Sequence, residues 1–203
     1  MSNLENKLKK IVNTFNNIDK NLAYEDIKKL STKYHKNINV LNVLSQIAQK
    51  MGDVDTTINS LKKILLIDKS NIECISKIYK LLLTKSLLDE ALANINLILR
   101  IDKDHYEAIR DKAYIHFLKK EFAEATQSIE NISKLKDDDY FGYNIKGLIS
   151  LKNSKLDIAK NYFENAIKIN KQYVDSYNNL GVCLLELEKL NEAYEIFLDG
   201  FNI

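Results

Sequence analysis

The sequence predicts an all-α protein in which antiparallel helix pairs repeat along the chain and stack into a solenoid. Residue types recur every 34 residues through most of the chain. Within each period the apolar residues are three and four positions apart, and one break separates two such stretches. A period of this length with this internal spacing is typical of stacked helical repeats.

The period is clearest when the chain is divided into five windows that share one numbering of places, from 1 to 34. The windows span residues 38–71, 72–105, 106–139, 140–173 and 174–203. Place 20 is Thr57, Ala91, Ala125, Ala159 and Ala193, and place 24 is Leu61, Ile95, Ile129, Phe163 and Phe197. Separate places for small and large residues predict a packing contact that recurs in every repeat.

Each window predicts a helix A, a short turn and a helix B. In the last window, the residues Tyr177, Leu180, Gly181 and Leu184 follow the helical spacing. We expect the turns at Gly52-Asp53, Ser86, Lys120-Glu121, Asn153-Ser154 and Glu188-Lys189.

The chain contains no proline, so its helix ends must be encoded by capping residues. Ser70 precedes Glu73 by three residues, and Asp104 precedes Glu107 by the same distance. We expect both pairs to form capping boxes at the starts of two A helices.

The first 37 residues follow the period only loosely, although Ala23 falls at place 20. Their apolar spacing predicts two helices, over residues 3–16 and 21–35. This helical hairpin is either a degenerate repeat or a polar cap on the end of the solenoid. No linker rich in Gly, Pro or Ser interrupts the chain, so residues 1–203 are expected to form a single domain.

The last two windows resemble the tetratricopeptide repeat family. That motif has Leu and Gly at places 7 and 8, Ala at place 20 and an aromatic residue at place 24, with a large residue at place 4. Tyr177, Leu180, Gly181, Ala193 and Phe197 match these places. The resemblance implies a right-handed α-solenoid, which acts as a non-enzymatic adaptor that binds protein segments in its concave groove.

The earlier windows depart from the motif in a compensated way. Place 27 holds Ile64, Ile98 and Ile132 in the first three windows, but Ala166 and Gly200 in the last two. The small residues accompany aromatic residues at places 4 and 24, so the volume between neighbouring helices is roughly conserved.

Composition and charge argue against several classes of function. The formal net charge of +2 is too small to predict nucleic-acid binding. The apolar runs are far shorter than the roughly 20 residues of a membrane-spanning helix. Cys74 and Cys183 lie in distant repeats, so we expect buried free thiols in a reducing compartment, the cytoplasm.

No arrangement of residues predicts catalysis, a metal site or a cofactor. The three histidines have no His or Cys at the spacing of a metal site. His116 occupies an inward-facing place, so we interpret it as a core residue. The acidic run Asp137 to Asp139 is interpreted as a solvated turn that ends in a helix cap.

Function is therefore sought on the concave face, which the resemblance assigns to places 2, 5, 6, 9, 12 and 13 of helix A. The predicted binding residues are Lys77, Lys80, Arg110, Tyr114, Phe117, Phe141, Asn144 and Asn178. In this hypothesis the basic residues meet acidic groups of a partner, and the aromatic residues receive an apolar side chain. In the alternative, the aromatic residues pack between adjacent A helices and the charges are solvated.

Two known groove types of the family are not matched. The carboxylate clamp of chaperone-binding members needs Lys and Asn residues at set places of three successive repeats, and no three windows supply them. The asparagine ladder of the O-linked N-acetylglucosamine transferase scaffold needs Asn at place 6 of successive repeats. Only the last window has an Asn at this place, Asn179.

The last window ends with Phe201 and Ile203 on an apolar edge. We expect this edge to pair with a second copy, giving a homodimer, or to continue into a larger protein. In the second case the repeats would be the recognition module of an enzyme such as a glycosyltransferase or a sulfotransferase.

Overall fold

The computed structural model describes residues 3–135 and 139–203 of the chain. This part of the chain is helical throughout, with twelve α-helices joined by short turns and no strand. The helices form two compact units, Met1–Ile101 and Asp102–Ile203. The predicted all-α class is confirmed, while the prediction of a single domain stays a prediction.

The first unit contains six helices. They are α1 (Asn3–Asn17), α2 (Lys20–Lys33), α3 (Ile38–Lys50), α4 (Val54–Ile67), α5 (Ile72–Thr84) and α6 (Leu88–Ile101). The second unit contains α7 (Tyr106–Leu118), α8 (Phe122–Leu135), α9 (Tyr140–Lys152), α10 (Leu156–Ile169), α11 (Val174–Glu186) and α12 (Leu190–Phe201). Every A helix of the five windows thus begins at place 1, so the helices keep the 34-residue period.

The N-terminal hairpin packs as the later hairpins do. Leu8, Ile11 and Phe15 of α1 share one buried cluster with Ile27 of α2 and Leu44 of α3. Its first helix is one residue longer than expected, and its second ends two residues early, at Lys33. The packing of α1 and α2 against α3 favours the degenerate-repeat interpretation over a purely polar cap.

The turns within the five windows use a left-handed backbone at place 15. Its φ is 78° at Gly52, 57° at Ser86, 63° at Lys120, 56° at Ser154 and 61° at Glu188. Glycine adopts this conformation without steric cost, but the other four residues do not. The packing of the two helices must therefore impose the turn on residues that do not prefer it.

Both expected capping boxes are wrong by one residue. The caps are Asn71, whose side chain accepts from the Cys74 N–H, and His105, whose Nδ1 accepts from the Ala108 N–H. Each lies at place 34, directly before helix A. The Ser70 N–H instead donates to the Asp68 carboxylate within the turn.

The paired helices approach closely because small residues face large ones. A Cβ added at Gly147 would collide with the ring of Phe163, and one added at Gly181 would collide with Phe197. A Cβ at Gly200 would lie 2.8 Å from the Cβ of Tyr177. The contact of Gly200 with Tyr177 gives the predicted compensation between places 27 and 4 a steric basis, and the other two contacts add a similar constraint between places 8 and 24.

Gly147→Ala is expected to destabilise the fold by about 1 to 3 kcal/mol through overpacking. Alanine is the better helix former, so propensity alone predicts the opposite sign. Denaturant unfolding followed by circular dichroism measures the change. Adding Phe163→Leu should recover part of the loss, because it makes room for the methyl group. A variant as stable as the parent would contradict this packing contact.

The stability of the fold is expected to depend on pH through Asp53, which links α2 to α4. Its Oδ2 accepts from the Tyr24 hydroxyl at 2.6 Å, and its Oδ1 accepts from the Thr56 N–H at 2.9 Å. These two hydrogen bonds lower the pKa of Asp53 below its usual value. A carboxylate with a lowered pKa stabilises the fold above its unfolded pKa, and this stabilisation is lost as pH falls through the folded pKa.

Tyr24→Phe should therefore cost about 1 kcal/mol at neutral pH and weaken the dependence of stability on acid pH. Urea unfolding at a series of pH values from about 6 to about 3 measures both effects. Tyr34→Phe is the matched control, since the Tyr34 hydroxyl has no hydrogen bond to any residue that the structure describes. An equal pH dependence for parent and Tyr24→Phe would refute the assignment.

Candidate functional site

The A helices of the second unit line one cavity of about 570 Å³. Helices α7, α9 and α11 present the same places of successive repeats toward it, because each A helix begins at place 1 of its window. The lining residues are Asp111, Tyr114, Phe117, Phe141, Asn144, Ile145, Leu148, Tyr173, Asp175, Asn178 and Asn179. Five of the eight predicted binding residues therefore meet in one place.

Aromatic rings form one part of this cavity. The rings of Tyr114 and Phe141 meet edge to face, with 6.4 Å between their centroids. Tyr114 remains 39% exposed, while Phe117 and Phe141 are half-buried against the cluster around Ile145. The Phe117 ring also lies 6.1 Å from that of Phe122 in α8. Phe117 and Phe141 thus pack between helices and also line the cavity, and their role in binding stays a prediction.

Arg110 supports the aromatic part of the cavity and does not line it. Its guanidinium carbon lies 5.3 Å from the centroid of the Phe141 ring, which is within cation–π distance. Its Nε and Nη2 donate to Oδ1 of Asp111 at 3.0 and 2.9 Å. Burial opposes the charge of Arg110, but the Asp111 carboxylate outweighs it and raises the pKa of the guanidinium. The Arg110 cation is thus fixed in place and already paired with Asp111.

Asn144 positions a neighbour within the cavity. It is only 3% exposed, and its Oδ1 accepts from the Ser176 hydroxyl at 3.2 Å and from Nδ2 of Asn179 at 3.0 Å. These bonds join α9 to α11 and fix the orientation of Asn179. Asn178 is exposed at the same end of α11. The amides available to a ligand are therefore those of Asn178 and Asn179.

Tyr173 is the lining residue that the sequence argument missed. It lies at place 34, outside the six helix-A places, and its ring packs 4.9 Å from that of Tyr140. Burial, together with the nearby Asp175 carboxylate, raises the pKa of its hydroxyl. An aromatic residue directly before an A helix is the signal that could have found it. Asp111 and Asp175 are the charged lining residues, so the cavity carries negative charge.

The two predicted lysines lie in the first unit, on α5. Nζ of Lys77 is 2.6 Å from Oε1 of Glu73, and Nζ of Lys80 is 6.0 Å from the centroid of the Tyr79 ring. Both side chains are exposed. Their role in binding an acidic group stays a prediction.

Three further predictions concern a histidine, the acidic run and the two cysteines. His116 is buried, and its Nδ1 lies 2.7 Å from Oε2 of Glu121. Asp139 caps α9 through the Gly142 N–H, whereas residues 137 and 138 of the acidic run lie outside the described residues. Cys74 and Cys183 are buried free thiols, as expected, and burial raises the pKa of each.

The apolar edge of the last repeat is open to solvent. Phe201 is 86% exposed and Ile203 is 43% exposed. Self-association through this edge stays a prediction, which light scattering tests directly. A Phe201→Asp variant should then run as a monomer if the parent is a dimer, because a charge in an apolar contact is costly.

The described residues contain neither a cluster of metal ligands nor a membrane-spanning helix. No three of their His, Cys, Asp or Glu side chains cluster where they could hold a metal ion. No described helix is both long enough and apolar enough to cross a membrane. The cytoplasmic location stays a prediction.

Part of the chain matches the sequence models of a known repeat. Residues 142–173 and residues 162–195 each match a model of the tetratricopeptide repeat. These segments cover most of the two windows in which the resemblance is clearest. No curated protein sequence matches the chain.

Solved structures share the fold at low sequence identity. A tetratricopeptide repeat protein from Parabacteroides merdae ATCC 43184 has a TM-score of 0.80 and 17% identity, over 98% of this chain and 78% of that one. PilW, a type IV pilus biogenesis factor, has a TM-score of 0.67 and 17% identity, over 97% and 91%. MamA has a TM-score of 0.62 and 21% identity, over 78% and 93%.

These likenesses confirm the predicted all-α solenoid class. The two model matches show that residues 142–195 contain tetratricopeptide repeats, as the pattern of the last two windows predicts.

Proposed function

We propose that the chain is a non-catalytic protein-binding scaffold, which holds an extended segment of a partner protein in the cavity between α7, α9 and α11. The observation that carries this proposal is the meeting of aromatic rings, amides and carboxylates in one cavity. Concave sites that combine apolar surface with a few placed polar groups are the usual form of a binding site.

Each part of the cavity has a complementary feature in a peptide. The exposed face of Tyr114 and the neighbouring Phe141 accept an apolar side chain. Asn178 and Asn179 can pair with a peptide backbone, since an amide side chain both donates and accepts hydrogen bonds. Asn144 restricts the rotation of Asn179 before binding, which reduces the entropy that binding would otherwise lose.

The charges of the cavity favour a basic partner segment. Asp111 and Asp175 line it, and the guanidinium of Arg110 is already paired with Asp111. An acidic segment would be repelled by Asp175 and would have to compete for Arg110. We therefore propose a segment with one apolar anchor and a nearby lysine or arginine, in place of the acidic partner expected from the sequence for Arg110.

Tyr114→Ala should weaken binding about tenfold or more, because an exposed aromatic anchor in a cavity commonly contributes at least about 1.4 kcal/mol. Peptides are selected on the parent chain from a displayed library of random sequences, and their affinities are measured by fluorescence anisotropy. Tyr194→Ala is the matched control, since Tyr194 is 66% exposed on α12 and does not line the cavity.

The same selection tests the charge of the partner. Peptides from the parent should be enriched in lysine or arginine, and Asp175→Asn should remove that enrichment while it keeps a side-chain acceptor for Tyr173. Equal affinity losses for Tyr114→Ala and Tyr194→Ala, or a selection of acidic peptides, would overturn the proposal.

A further inference from the structure

A second cleft, with chemistry opposite to that of the cavity, lies between the two helices of the N-terminal hairpin. Its volume is about 330 Å³. It is lined by Lys7, Lys10, Ile11 and Thr14 of α1 and by Asp26, Lys29, Leu30 and Lys33 of α2. We call these eight residues the lysine cleft.

The hairpin concentrates positive charge that the whole chain does not have. Residues 1–37 contain eight lysines and four acidic residues, which gives a net charge of +4. Since the full chain has +2, the remaining residues carry −2. Half of the eight lysines line the cleft, so the excess charge is focused on one surface.

The lysines of the cleft have little to neutralise them. Among the residues that the structure describes, the ammonium groups of Lys7, Lys10 and Lys29 form no ion pair and no hydrogen bond. Lys28, on the same helix but outside the cleft, pairs with Glu25 at 3.4 Å. Asp26, the carboxylate of the cleft, also forms no ion pair. Several unpaired ammonium groups around one concavity are the electrostatic complement of an anionic ligand.

The spacing within the hairpin explains why these side chains converge. Lys7, Lys10 and Thr14 lie three and four residues apart, so they share one face of α1. Lys29 and Lys33 lie four residues apart on α2. Buried Ile11 and half-buried Leu30 give the cleft an apolar component between the two rows.

We propose that the lysine cleft binds an acidic segment of a partner protein, in which glutamate or aspartate residues flank an apolar one. Each row of lysines extends over about one helical turn, or roughly 5 to 6 Å, which fits two or three residues of an extended peptide. Carboxylates would approach the ammonium groups, the apolar residue would meet Leu30, and Asp26 could accept a peptide N–H.

The composition of the cleft favours a peptide over a phosphate ligand. Residues 1–37 contain no arginine, the residue that best matches phosphate geometry. Asp26 would repel a phosphate, which has no N–H to offer it in return. A nucleic-acid backbone would also need a basic stripe longer than one helical turn. All residues of this site belong to the first unit.

The test uses a labelled synthetic peptide with repeated Glu-Leu-Glu triplets and a matched peptide with Gln in place of Glu. Fluorescence anisotropy on the full chain gives both affinities at about 0.05 M and about 0.5 M salt, since exposed charges are screened at the higher concentration. The test variant is Lys7→Glu with Lys29→Glu. The control is Lys62→Glu with Lys63→Glu, which changes net charge equally on exposed positions of α4 outside the cleft.

The parent should bind the Glu peptide at least tenfold more tightly than the Gln peptide at low salt, and this preference should shrink at high salt. The Lys7/Lys29 variant should lose the preference, whereas the Lys62/Lys63 variant should keep affinity within about twofold. Circular dichroism checks that both variants keep the helical content of the parent. Tyr114→Ala should leave this binding unchanged, so failure here is distinct from failure of the cavity.

Equal losses in the two double variants would overturn the proposal, because they would show a nonspecific effect of net charge. Anionic phospholipid vesicles provide a further comparison. If the Lys7/Lys29 variant loses vesicle binding while the parent does not distinguish the Glu and Gln peptides, the cleft is a lipid-surface site and the peptide proposal is wrong.

Discussion

The structure depends on the close approach of the two helices within each repeat. Ala159, at place 20, is completely buried. Gly147 faces the ring of Phe163 so closely that no Cβ could be added there without a collision. Because a packed interior tolerates little change of volume, a small residue on one helix constrains the size of its partner. This contact fixes the direction in which each A helix presents its other side chains.

The cavity of the second unit follows from that constraint. Tyr114 and Phe117 of α7 face the same space as Phe141 of α9 and Asn178 of α11, since every repeat sets its A helix in the same register. No single repeat could form this surface. The hydrogen bonds from Asn179 and Ser176 to Asn144 then join neighbouring A helices directly. A repeated steric contact thus produces a surface whose chemistry varies along the stack.

Much of the fold was predictable because packing periodicity is written in side-chain volume. The five A helices recur with the predicted 34-residue spacing, and the turns within the windows lie at the predicted positions. The caps were predicted one residue too early, because Ser and Asp are favoured capping residues and Ser70 and Asp104 lie close to the helix starts. The register of the repeat instead places Asn71 and His105 at the cap position. The left-handed turn at Glu188 has no local signal, since the packing of two helices imposes it.

The candidate site was predictable only in part, because its chemistry depends on contacts between repeats. Sequence placed Asn144 in the groove, but its burial depends on Ser176 and Asn179, which lie more than thirty residues away. The pairing of Arg110 with Asp111 likewise removes a charge that the sequence counted as available. A net charge of +2 suggested weak electrostatics. That sum conceals a cavity lined by carboxylates and a cleft lined by lysines, so local charge, and not the total, determines which partner segment each surface can accept.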